Sequence, residues 1–108
     1  MSVIHLLAAR GRGPVWGTAT EDLNATLLVW PAQHEVAEHV NDACDVMLVV
    51  LDGQVTVDVD GAPHALVGGD AIVLPRGAPR TIVAGEAGVR YLTVHRRRGG
   101  LAIGRVAR

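Results

Sequence analysis

"AEHVNDACDVMLVVLDGQVTVDVDG", residues 37–61, is the stretch on which the fold turns. Met47–Leu51 is a continuous apolar run of strand type, and Asp52-Gly53 is a strong hairpin signal. Val55, Val57 and Val59 then alternate with Gln54, Thr56 and Asp58, so this segment reads as a strand with one buried and one wet face. Just upstream lies a polar knot, His39-Val40-Asn41-Asp42-Ala43-Cys44-Asp45, at the mouth of what reads as a core strand. A histidine, an amide and carboxylates placed there suit a metal centre, a metal-free pocket, or a set of structural hydrogen bonds.

Outward from this stretch, short strand-like runs recur with turn signals between them. Leu23–Trp30 has β-branched and aromatic character and is stopped by Pro31. Asp60-Gly61 marks a turn before His64–Val67, and Gly68-Gly69-Asp70 marks another before Ala71–Leu74. Pro75-Arg76-Gly77-Ala78-Pro79 precedes a strand over Arg80–Ala84, a turn over Gly85–Gly88 and a last strand over Val89–His95. About eight short strands at this spacing, with no amphipathic helix, predict an all-β sandwich or barrel. At the N-terminus Val3–Leu7 is a short apolar segment ending in a Gly/Arg/Pro loop at Arg10–Pro14, and Thr20–Asp22 could cap a turn. Residues 1–22 are read as an N-terminal strand segment, 23–95 as the core and 96–108 as an Arg-rich tail of one domain.

Composition sets the limits. The 108 residues are enough for one domain with a core, and 49% are apolar, as a globular chain requires. Phe is absent, so Val, Leu, Ile and Ala must fill that core. All basic residues are arginine, which together with the Ala/Gly/Val richness suggests a GC-rich bacterial genome. A net charge of −1 recruits neither nucleic acid nor anionic membrane, and the local His95-Arg96-Arg97-Arg98 run reads as a solvated end. Cys44 is the only cysteine, so no internal disulfide forms and no CxxC metal motif exists; it reads as a small buried hydrophobe. No run spans a bilayer and the N-terminus lacks signal-peptide character, so the expected location is cytoplasmic. The stretch Gly11–Gly17 has no strand–helix context for a nucleotide loop.

The spacing from His39 to Gly53, followed by "GGDAIVLPRGAPR" (residues 68–80), resembles the two motifs of the cupin superfamily, small jelly-roll β-barrels. The resemblance covers about Leu23 to His95, with Gly69, Pro75 and Gly77 on motif positions. The metal ligands match poorly. The family's first His falls on His39, its second on Asn41, its Glu on Val46 and its last His on Arg80. Its opening Gly falls on Gln33 and its closing Asn on Ala84. Even if a bulge presented Asp45 in place of Val46, the set would be weak beside a fixed guanidinium cation. No cofactor is therefore expected, with a divalent metal as the lesser alternative.

If the cupin register holds, His39 and Asn41 share a strand face and point into the barrel, with Arg80 entering from the opposite sheet. The expected ligand-binding set is His39, Asn41, Asp45, Arg80 and His95, where Arg80 offers a planar fork to a carboxylate or phosphate. The leading expectation is a small polar or anionic metabolite bound without metal. The alternatives are an isomerase- or cyclase-type enzyme, with His39 or His95 as acid or base beside Asp45, or a metal-dependent oxygenase with atypical ligands. A fourth outcome is a closed interior in which Arg80 pairs with Asp45 or Asp42. His95 shares a face with Tyr91 and Thr93 and reads as either pocket or rim; His5, His34 and His64 read as surface or turn residues. The resemblance, together with sheet edges that need covering, also implies a homodimer.

Overall fold

The computed structural model describes residues 3–96, which form seven strands and no helix. These are β1 (Gly13–Ala19), β2 (Leu23–Trp30), β3 (Glu35–His39), β4 (Val46–Val59), β5 (Ala62–Val67), β6 (Ala71–Leu74) and β7 (Arg80–Arg96). All pairings are antiparallel, and the two long strands, β4 and β7, lie side by side at the centre. The first half of β4 pairs with β6 and with the second half of β7, which in turn pairs with β2 and through it β1. The second half of β4 pairs with β5 and with the first half of β7, which pairs with β3. One hydrogen-bonded sheet is thus folded over into two layers, the jelly-roll sandwich that the cupin resemblance implies.

The fold-over point corrects two expectations. Asp52-Gly53 is not a hairpin turn, and Gly85–Gly88 does not end a strand. Both lie inside β4 and β7, whose pairing continues through register shifts between Val50 and Asp52 and between Gly53 and Val55. Gly53 adopts φ +85°, and a Cβ there would lie 2.2 Å from the Gly88 carbonyl oxygen, so its freedom serves a close backbone approach within a bend. The chain therefore has two long bent strands where four short ones are expected.

Three further differences are local. Glu35–His39 forms strand β3 although "EVAEH" carries little strand signal, and four of its five residues are exposed. The Arg10–Pro14 loop ends two residues early, because Gly13 and Pro14 already pair with Val29 and Leu28. Pro14 is tolerated because β1 is an edge strand. Val3–Leu7 is not a strand: the segment turns, with Ala8 N–H donating to the His5 carbonyl, and Arg90 donates from Nη1 to the carbonyls of Leu6 (2.8 Å) and Ala9 (2.7 Å). Residues 97–108, including Arg97 and Arg98, lie outside the described residues. No helix among the described residues is long and apolar enough to cross a membrane.

The core lies between the layers. Val55 and Val57 are buried and Val59 packs against the same cluster, while Gln54 and Thr56 are exposed, as the alternation requires. Leu48, Val50, Leu66, Leu74, Ile82 and Tyr91 complete most of it. Asp60-Gly61 is a true two-residue hairpin, with φ of +52° and +83°, and the Asp58 carboxylate accepts the Gly61 N–H at 2.9 Å.

The two Asp-Gly sites should respond differently to a methyl group. Gly53→Ala meets both a left-handed backbone and backbone atoms inside contact distance, and should lose about 2–5 kcal/mol in urea unfolding. Gly61→Ala has nothing within 4 Å and should lose only the conformational part, about 1–2 kcal/mol. Equal losses would contradict the bent-strand account.

Candidate functional site

The two layers part at one end to leave a cavity of ≈ 260 Å³. Strand register orders its lining by depth. At the open end, His39 of β3 is paired with Arg80 of β7, and Val46 of β4 with Leu74 of β6. One step inward come Thr26, Thr93 and Leu48, in register across β2, β7 and β4, facing Val36 and Ile82 from the other layer. Deeper still are Leu28 and its partner Tyr91. The wall is chiefly aliphatic, with its formal charge concentrated at the mouth.

Arg80 is 9% exposed and places a permanent guanidinium charge in that wall, since arginine does not deprotonate in proteins. His39 is exposed at the rim beside it. No lining residue is a carboxylate. Tyr91 is 2% exposed, and its hydroxyl accepts a hydrogen bond from Trp30 Nε1 at 3.0 Å. Burial pushes the phenol's pKa up, against a smaller lowering by the Trp30 bond, so Tyr91 is neutral at physiological pH. His34, expected at a surface turn, stacks on Trp30 with ring centroids 3.9 Å apart. His5 and His64 are exposed.

The remaining candidates lie outside the cavity lining. Asn41 is 4% exposed, but its Oδ1 accepts the N–H groups of Ala43 (2.9 Å) and Cys44 (3.2 Å), closing an Asx turn. Its carbonyl accepts the Gly77 N–H at 2.7 Å. Asp45 Oδ1 accepts the Arg76 N–H at 2.8 Å. The polar knot therefore staples the β3–β4 loop to the Pro75–Pro79 loop and frames the cavity mouth. Two residues after β3 ends, strand alternation no longer governs Asn41, which is why its side chain is not paired with that of His39.

His95 stands at the rim, with Nδ1 2.8 Å from the Arg96 carbonyl and 3.6 Å from Cys44 Sγ. A carbonyl can only accept, so this nitrogen carries the proton and cannot take one from the thiol. Cys44 is 4% exposed and held among Asn41, His95 and the Arg96 carbonyl. Thr26 is a lining residue that the motif comparison does not single out; its alternation with Leu28 and Trp30 in β2 is the signal that marks its face.

The metal that cupin resemblance implies does not fit these residues. Of the four motif positions, His39 supplies an imidazole, Asn41 has its side-chain oxygen committed to two backbone N–H groups, Val46 has no donor atom, and Arg80 is a cation. Among the described residues, no group of three or more His, Cys, Asp or Glu could hold a metal ion.

The staple makes a checkable claim. Asn41→Ala leaves two loop N–H groups without their acceptor and should lower stability by about 1–3 kcal/mol in urea unfolding. Asn41→Asp keeps the acceptor and should recover most of that loss. A variant of undiminished stability whose ligand affinity alone collapses would show instead that Asn41 works inside the cavity.

The comparisons with known proteins agree with this architecture. The cupin domain matches residues 26–95, from β2 to the end of β7. TT1209 from Thermus thermophilus is 24% identical, covering 92% of this chain and 100% of its own, with a TM-score of 0.76. KdgF from Halomonas sp. is 24% identical over 79% of this chain and 78% of its own, with a TM-score of 0.72. An RmlC-like cupin from Shewanella frigidimarina is 20% identical over 72% and 68%, with a TM-score of 0.66. These likenesses concern the fold alone, and no curated protein matches the sequence. With the domain match spanning both bent strands and the cavity between them, this chain belongs to the cupin family.

Proposed function

We propose that the protein binds a small anionic molecule in the cup, using Arg80 in place of a metal ion. The observation that carries this reading is the placement of a buried guanidinium in the cavity wall with the His39 imidazole paired beside it. In a low-dielectric wall such a cation favours an anionic partner, and its planar fork matches a carboxylate or phosphate. The His39 imidazole adds a hydrogen-bonding group near the surface. Acid–base turnover has less support. Of its three candidates His39, His95 and Asp45, only His39 lines the cavity, and the Asp45 carboxylate holds a backbone N–H on the loop.

The test is a melting series on wild type, Arg80→Ala and Arg80→Lys with a panel of small carboxylates and inorganic phosphate. Wild type should be stabilised by at least one anion, less so at high salt, with the same shift in EDTA-treated protein. Arg80→Ala should weaken that binding by about 30-fold or more, the equivalent of about 2 kcal/mol for one lost charge-assisted partner. Arg80→Lys should retain part of it. No anion-induced shift in folded wild type, or a shift abolished by EDTA, would overturn the proposal.

A further inference from the structure

We infer that the ligand is an amphiphilic monocarboxylate of about ten non-hydrogen atoms, its carboxylate at Arg80 and His39 and its hydrocarbon body directed toward Leu28 and Tyr91. This rests on the anion-binding reading above and adds what the anion is attached to.

Three observations lead to it. First, charge is confined to one end: Arg80 and His39 sit on the outermost register step, and the next steps inward are dominated by Leu48, Ile82 and Leu28. Second, the polar groups deeper in the cup are few, the hydroxyls of Thr26, Thr93 and Tyr91, and two of them already have a partner. Thr93 Oγ1 makes a long bond to the Thr26 carbonyl at 3.5 Å, and the Tyr91 hydroxyl meets the Trp30 indole, which is not part of the cavity lining. A polyhydroxylated or multiply charged ligand would lose hydration there with few partners to replace it. Third, the volume sets the size. An apolar cavity of about 150 Å³ holds benzene, so ≈ 260 Å³ accommodates about ten non-hydrogen atoms, the size of octanoate.

Titration calorimetry with the n-alkanoates from acetate to dodecanoate tests this directly. Affinity should rise by up to about fourfold per buried methylene, reach a maximum near octanoate and fall for longer chains. Octanamide should bind much more weakly than octanoate, and octylammonium should not compete. Leu28→Trp fills the deep end and should move the optimum to shorter chains; if it does not fold, the smaller Leu28→Phe should move it in the same direction. A series without chain-length dependence, in a protein that still binds acetate or phosphate through Arg80, overturns this inference and leaves the anion site standing. Equal binding of octanamide and octanoate overturns the anion reading itself, as does binding of no carboxylate and no phosphate.

Discussion

The rest of the structure depends on how closely the Gly53 backbone approaches the Gly88 carbonyl where β4 and β7 bend. Two strands of 14 and 17 residues run side by side, and both must bend at the same level to pass from one layer to the other. Only a residue without a Cβ permits the 2.2 Å separation between that virtual atom and the opposing oxygen. Once β4 and β7 bend together, every other strand has its place set by which half it pairs with. The gap between the layers, filled by Val55, Val57, Tyr91 and Leu48 where it is narrow, remains open at the end where His39 meets Arg80.

That open end combines two kinds of polar residue with separate tasks. The Asn41 side chain accepts two N–H groups of its own loop, while its backbone carbonyl and the Asp45 carboxylate accept the Gly77 and Arg76 N–H groups and keep the β3–β4 and β6–β7 loops together. Arg80 is set in the wall by the β7 ladder, between Val59 on one side and His39 on the other. A rim stapled by neutral and acidic groups is held in place before anything enters the cup, so the anion binding proposed above would not have to order these loops. A metal at the same point would meet a repelling charge and too few donors.

Much of this was legible in the residues, and the failures have physical causes. The alternation of Val55, Val57 and Val59 and the hairpin at Asp60-Gly61 depend on local rules, and both hold. Asp52-Gly53 carries the same local signal as Asp60-Gly61, yet its partner is Gly88, far along the chain; turn chemistry alone cannot distinguish a reversal from a bend. β3 carries little strand signal of its own because pairing to β7, rather than its exposed side chains, makes it a strand. Motif spacing brings Arg80 and His39 to the same cavity, but as paired neighbours on β7 and β3 of one layer rather than from opposite sheets, because the bend in β7 puts its first half beside β3. Asn41 does not join them, because the loop N–H groups that claim its side chain lie beyond the end of the strand whose alternation it was assigned to.

A cup with a cationic mouth and an apolar floor should hold a carboxylate in one orientation, head group outward. The most direct measurement is a crystal structure with 7-bromoheptanoate, using anomalous scattering from bromine to locate the tail. Carboxylate density is expected against Arg80 and His39, with a bromine peak beside Leu28 and Tyr91. A bromine peak at the mouth, or a transition-metal peak beside His39 with the carboxylate bound to it, would contradict this arrangement.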